Sequence, residues 1–168
     1  MILRQSFNLF VIGKLKNSYI LTSETCALDI VGATYVRDVE NGEIVIIEND
    51  SLKSVRPFSK QKSRPCVFEY IYFARPDSLI NKKCAYEYRK KLGAELARET
   101  DIKADLVVPV PDSGVPAALG YAEKSKKDFE LGLIRNHYVG RTFIEPTQHI
   151  RSLGVKLKLS STKSILKN

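Results

Sequence analysis

The chain is short of the residues that build self-contained metal and disulfide frameworks. Its three cysteines, Cys26, Cys66 and Cys84, are odd in number, widely spaced and without a CxxC pair, which argues against a disulfide scaffold or a zinc site of its own. The two histidines, His137 and His149, stand beside no nucleophile in sequence, so no catalytic triad is expected and no residue is given a catalytic role. No apolar run approaches the roughly 18 residues that a membrane helix needs, so no membrane partner is expected. The start, Met1-Ile2-Leu3-Arg4-Gln5-Ser6-Phe7-Asn8, turns polar before a secretory apolar region forms. Internal repeats and low-complexity tracts are also missing. What is present is an apolar fraction of 43%, a charged fraction of 27% and 168 residues, enough for one ordinary domain or two small ones. Lys and Arg number 27 against 19 Asp and Glu, a net charge of +8, which points to anionic company: phosphorylated small molecules, nucleic acid or membrane head groups. These features together describe a soluble, cytoplasmic, basic α/β protein.

The first third reads as strands and turns. Short apolar runs occur at Phe10-Val11-Ile12-Gly13 and Tyr19-Ile20-Leu21, and a strand-like series at Ala33-Thr34-Tyr35-Val36. Asn41-Gly42 followed by Ile44-Val45-Ile46-Ile47 predicts a hairpin between the segments on either side of that turn. Residues 51–65, basic and without apolar period, read as an exposed linker. Cys66 to Phe73, rich in aromatics and bounded by Arg75-Pro76-Asp77, reads as a strand. Ala85, Tyr88, Leu92 and Leu96 fall at helical spacing, Leu106 to Val110 reads as a buried parallel strand, a helix follows through Ala117, Ala118, Tyr121 and Ala122, and Phe129 to Ile134 is the next strand. Helix, strand, helix and strand in that order imply a βαβ crossover and an α/β domain.

The sharpest local feature is the turn Pro111-Asp112-Ser113-Gly114 between a strand and a helix. Such a loop gathers the unpaired N–H groups of a helix N-terminus, whose dipole favours an anion. Gly114 lets a ligand approach the backbone, Ser113 supplies a hydroxyl and Pro116 suits a first helical turn. Asp and Ser are also ordinary N-caps, and this fragment by itself favours capping over phosphate binding. It is no P-loop, since no Gly-Lys-Ser/Thr follows. A second irregular segment, Arg135 to Gln148, holds two arginines, the aromatics Tyr138 and Phe143 and a glycine; it fits either a loop that closes over phosphate or a solvated surface loop. The tail Arg151 to Asn168 carries five basic residues and no acidic one, which reads as a solvated face; it has no stacking aromatics, so nucleic acid is not an expected partner.

Three strings occur in order: Phe68-Glu69-Tyr70-Ile71-Tyr72-Phe73-Ala74-Arg75-Pro76-Asp77-Ser78, Val110-Pro111-Asp112-Ser113-Gly114, and Gly132-Leu133-Ile134-Arg135-Asn136 continuing through Tyr138-Val139-Gly140-Arg141-Thr142-Phe143-Ile144. Together they resemble the glutamine phosphoribosylpyrophosphate amidotransferases. The earlier string Ser23 to Tyr35 resembles the end of that family's glutaminase domain. The resemblance implies an α/β (α+β) chain: residues 1–65 a C-terminal remnant of an N-terminal-nucleophile glutaminase domain plus a basic linker, and residues 66–168 the first half of a type I phosphoribosyltransferase domain. The family hydrolyses glutamine and passes ammonia to phosphoribosylpyrophosphate, forming phosphoribosylamine in the first step of purine biosynthesis. By the same resemblance Asp112, Ser113 and Gly114 touch pyrophosphate, with Ser113 near magnesium, and Arg135, Tyr138, Gly140 and Arg141 belong to a flexible loop over the substrate. Cys66 stands where one branch of the family ligates an iron–sulphur cluster, a group not expected to assemble on this chain alone.

The sequence also departs from the family pattern. It begins Met1-Ile2-Leu3 where the mature family begins with a catalytic cysteine, and the paired-aspartate signature expected soon after Lys163-Ser164-Ile165-Leu166 is not reached by Asn168. His137 stands where an arginine is usual. The expectation is an internal fragment without catalysis of its own, sticky in isolation, whose partners include complementing chains of a split enzyme or further copies of itself. The alternative is a basic remnant that binds phosphate or nucleic acid without catalysis.

Overall fold

A computed structural model of the chain describes residues 10–59, 64 and 66–166. The polar start Met1–Asn8 lies outside the described residues. The chain divides into two compact units, Met1–Tyr88 and Arg89–Asn168.

The first unit is built around β1 (Val11–Leu15), which pairs antiparallel with β2 (Ser18–Thr22) on one side and β3 (Thr34–Asp38) on the other. Val11 and Ile12 point to opposite faces of this sheet, and both are buried. Val11 meets Leu28 and Ala33 beneath α1 (Thr25–Val31), while Ile12 meets Val39 and Val45. On the Val11 face Gly13 admits the helix: a Cβ there would lie 2.4 Å from Leu28 Cδ2.

The hairpin expected around Asn41-Gly42 does not form. β3 pairs with β1, and β4 (Ile44–Glu48) pairs instead with β5 (Ser51–Val55), within the stretch read as linker. The turn that closes this hairpin is Asn49-Asp50, both at positive φ (49° and 57°), the conformation that two-residue hairpins require. Residues 39–43 are too many for a tight turn; their ends, Val39 and Glu43, are buried, and the Val39 N–H donates to the Phe10 carbonyl at 2.8 Å. The rest of the expected linker lies partly outside the described residues.

The strand expected over Cys66 to Phe73 is helical, with a π-helical turn at Glu69–Phe73. Tyr70 explains the difference. Its ring packs 4.5 Å from that of Tyr88, and the side chain lies against the cluster of Ala74, Ile80 and Ala85. The helical turn brings Tyr70 and Ala74 close together on one face, so both reach the same cluster, whereas an extended segment would hold them about 13 Å apart. A short hairpin, β6 (Leu79–Ile80) and β7 (Lys83–Cys84), leads into α2 (Ala85–Glu99), the helix expected from its apolar spacing.

In the second unit β8 (Leu106–Val107) and β9 (Asp128–Phe129) are parallel and joined by α3 (Val115–Ser125), which is the expected βαβ unit. The expected strand at 129–134 is split: β10 (Leu133–Arg135) pairs antiparallel with β11 (Leu159–Ser161). The basic tail begins as α4 (Gln148–Lys158), capped by the Thr147 hydroxyl, which accepts the Ile150 N–H at 3.3 Å. α2 and α3 cross at two glycines. A Cβ on Gly93 would sit 1.8 Å from the Ala117 carbonyl oxygen, and one on Gly120 1.8 Å from that of Lys90.

Candidate phosphate-binding site

The turn Pro111-Asp112-Ser113-Gly114 follows β8 and opens α3, at the carboxyl end of a parallel strand where open α/β sheets bind ligands. Its side chains do not cap the helix. Gly114 is the N-cap, no side chain accepts from the first turn, and the Val115 N–H is taken by the Asp112 backbone carbonyl at 3.2 Å. The capping alternative therefore fails for Asp112 and Ser113. Gly114 sits close to the segment that follows β8, and a Cβ there would lie 2.7 Å from the Val110 carbonyl oxygen.

A carboxylate at a helix start would repel a second anion, and here it is neutralised. Arg135, the last residue of β10, places Nη1 2.8 Å from Asp112 Oδ2, and His137 Nδ1 stands 3.9 Å from the same oxygen. The Arg135 Nε is buried without a hydrogen-bond partner. Ser113 is exposed, so its hydroxyl faces solvent. The Gly114 and Val115 N–H groups are taken by the Val110 and Asp112 carbonyls, and Pro116 has none. The site thus offers the positive end of the α3 dipole, one hydroxyl and one guanidinium, with its own negative charge offset.

Other expected members are not drawn in. Tyr138 is wholly exposed and its backbone N–H donates to Asn136 Oδ1 at 3.0 Å. The Gly140 carbonyl accepts from Lys158 Nζ at 3.0 Å, and Arg141 is exposed and makes no ion pair among the described residues. The structure therefore joins Arg135 to the Asp112–Gly114 turn and leaves Tyr138, Gly140 and Arg141 apart from it.

A magnesium ion fits this turn only in part. Such ions keep several waters and take one or two carboxylates together with substrate phosphates. Ser113 offers an oxygen, Asp112 is held by Arg135, and no three His, Cys, Asp or Glu side chains among the described residues come together as a metal site. An iron–sulphur cluster does not fit. It needs about four thiolates, and the chain has three cysteines, of which buried Cys26 lies 3.2 Å from Ser78 Oγ and Cys84 donates to the Pro76 carbonyl at 3.5 Å.

The sequence reading missed a second feature, in the first unit. Glu24 Oε2 accepts from the Arg75 backbone N–H at 2.8 Å and from the Ser78 hydroxyl at 2.5 Å, while the Leu79 N–H donates to Thr25 Oγ1 at 2.8 Å. These bonds tie the start of α1 to residues more than 50 positions away. They form one wall of a cavity of about 450 Å³ that Cys66 and Glu69 also line. Burial, and then the charge of Glu24, push the Glu69 carboxyl above its usual pKa. Glu24 and Ser78 lie in two of the strings quoted for the resemblance, but nothing in their local pattern announces the contact.

No family model matches the chain. Relatives do. The chain is 55% identical over 161 residues to the amidophosphoribosyltransferase of Rhizobium etli, a match that covers 93% of this chain and 32% of that protein. It is 52% identical over 159 residues to the Synechocystis sp. amidophosphoribosyltransferase, again 93% and 32%, and 50% identical over 161 residues to the chloroplastic enzyme of Glycine max, 95% and 28%. Among solved structures, glutamine phosphoribosylpyrophosphate amidotransferase from B. subtilis, complexed with ADP and GMP, superposes with a TM-score of 0.85 at 47% identity, covering 96% of this chain and 36% of that one. A structure described as the allosteric regulatory enzyme of purine biosynthesis gives 0.86 at 47% identity, covering 96% and 35%. The chain spans about a third of the length of the relatives it matches. In sequence and in fold, nearly all of it matches a stretch of the amidophosphoribosyltransferases.

Proposed function

We propose that the chain is a segment of an amidophosphoribosyltransferase whose turn Asp112-Ser113-Gly114 binds the pyrophosphate group of phosphoribosylpyrophosphate. In this reading residues 1–65 correspond to the end of a glutaminase domain and a basic linker, and residues 66–168 to the first half of a phosphoribosyltransferase domain. The observation that carries the reading is the ion pair between Arg135 and Asp112 at the start of α3, since it offsets the charge of a loop that would otherwise repel anions.

Ammonia derived from glutamine displaces pyrophosphate from the ribose. Negative charge gathers on the departing pyrophosphate as the bond to carbon breaks, and groups already aimed at that charge lower the barrier. The Ser113 hydroxyl and the guanidinium of Arg135 are such groups, and the dipole of α3 points the same way. Tyr138, Gly140 and Arg141 lie in the segment that would close over the substrate. A magnesium ion carried on the phosphates would neutralise part of their charge, with the Ser113 hydroxyl as the oxygen this chain contributes. The segment spans about a third of the relatives named for the activity, so no phosphoribosylamine is expected from it alone.

Titration calorimetry with inorganic pyrophosphate tests the site. Saturable binding is expected, weakened about tenfold by Ser113→Ala and more by Arg135→Gln, as the loss of neutral and charge-assisted hydrogen bonds implies. Pyrophosphate binding that ignores both substitutions refutes the assignment. Salt-sensitive binding of nucleic acid in its place would favour the basic-remnant alternative.

A further inference from the structure

Asp112 Oδ2 is approached by two cationic side chains of different kinds. Arg135 Nη1 stands 2.8 Å from it and His137 Nδ1 3.9 Å. A guanidinium is charged at every working pH, whereas an imidazole gains its charge as pH falls from about 8 to about 5. The His137 side chain is 73% exposed, so an anion bound at the turn has access to it. Its neighbours in sequence are tied down: the Asn136 N–H donates to the Lys158 carbonyl at 2.8 Å, and the Tyr138 N–H to Asn136 Oδ1 at 3.0 Å. The charged groups on the elements around the imidazole are Asp112 after β8, Arg135 at the end of β10 and Lys158 at the end of α4, whose Nζ donates to the Gly140 carbonyl at 3.0 Å. Among the described residues Asp112 is the one carboxylate within ion-pair distance of His137.

We infer that His137 is a further binding residue of this site, one that sets the affinity of the turn for phosphate anions and makes that affinity rise as pH falls. With the imidazole neutral, Arg135 and Asp112 cancel, and the turn presents the α3 dipole and the Ser113 hydroxyl. With the imidazole protonated, two cations meet one carboxylate, and a net positive charge remains for the ligand. The imidazolium also competes for the oxygen that holds Arg135, which leaves the guanidinium freer to turn towards a phosphate. By linkage, a bound anion strengthens the hold of the imidazole on its proton. The added affinity is therefore full at pH values below the titration of the free site and is lost as pH rises through that of the liganded one. An arginine at position 137 would keep its charge throughout and give no such dependence. This inference rests on the pyrophosphate site given under the proposed function.

The test is calorimetric titration of the full 168-residue chain with inorganic pyrophosphate in steps from about pH 5.5 to about pH 8.5, beside the same series for His137→Asn. Pyrophosphate takes up protons over this range too, and the ratio of the two affinities at each pH cancels that effect. The wild-type chain is expected to match the variant at the alkaline end and to bind about fivefold more tightly at the acid end, as an exposed ion pair implies. His137→Arg should exceed His137→Asn by a factor that does not change with pH. Proton NMR reads the same coupling from the other side. Of the two histidines, His137 should titrate at higher pH once pyrophosphate is added, and His149 should not. The side chain is mostly exposed, so the variants should fold, which circular dichroism checks. Binding that depends on Ser113 while the ratio stays flat, or a His137 titration that pyrophosphate leaves unmoved, overturns the inference and leaves the phosphate site standing. Pyrophosphate that binds at no pH, or whose binding ignores Ser113→Ala, overturns both.

Discussion

The carboxylate of Glu43 is buried and accepts both guanidinium nitrogens of Arg37, at 2.9 and 2.6 Å, the Glu40 backbone N–H at 2.8 Å and the Ser54 hydroxyl. The arginine beside it holds its pKa at about 2, against an ordinary 4.5. The folded value lies below the unfolded one, so the pair stabilises fully above the ordinary value and its contribution is lost as pH falls towards the folded one. Urea midpoints of the wild-type chain should therefore drop between about pH 5 and pH 2. Glu43→Gln should flatten that decline and cost roughly 2–4 kcal/mol at neutral pH, because it strands a half-buried guanidinium. Equal slopes for the two chains would refute the role given to this residue. At this scale the sequence was uneven. Asp112, Ser113 and Gly114 stood out because turn chemistry is local and Arg135 because its string resembled a known one, whereas Glu43 carried no local signal, since strand pairing brings its partners to it, Arg37 through β1–β3 and Ser54 through the β4–β5 hairpin.

At the scale of elements, the legible ones were those whose cause is local. α2 showed itself in Ala85, Tyr88, Leu92 and Leu96, and the β8–α3–β9 crossover in an apolar run followed by a turn and a second helix. The errors arose where two local signals competed. Asn41-Gly42 and Asn49-Asp50 are both turn dipeptides, and the second won because it leaves no residue over between Glu48 and Ser51. Aromatics at 68–73 suit a strand, yet packing against Tyr88 made them helical. The crossing of α2 and α3 rests on two glycines that no spacing rule flags, since each meets a backbone carbonyl on the other helix. Gly93→Ala and Gly120→Ala, helix-favouring changes by propensity, should instead destabilise the second unit by about 1–3 kcal/mol or more. Hydrogen exchange of α2 and α3 amides reads this directly. Protection that is unchanged or raised would show that the helices can separate without cost.

At the scale of the whole molecule, the exposed apolar side chains are not scattered singly. Phe143, Ile144, Ile150, Leu153 and Leu157 fall on or beside one helix in the second unit, and Phe68, Tyr72 and Phe73 in one segment of the first. The charge of +8 gives the expectation of an anionic ligand, but composition does not say which surfaces are left open, because that depends on how the elements pack. The central claim is that the chain binds the phosphates of phosphoribosylpyrophosphate at the Asp112–Gly114 turn without turning the substrate over by itself. Phosphorus NMR of phosphoribosylpyrophosphate mixed with the purified 168-residue chain, glutamine and magnesium reads both halves of that claim in one tube. The pyrophosphate resonances of the substrate should broaden or shift with added chain, respond less to Ser113→Ala, and remain chemically intact. Resonances that stay unperturbed by the chain, or a signal of free inorganic pyrophosphate growing steadily above the protein-free control, would contradict it.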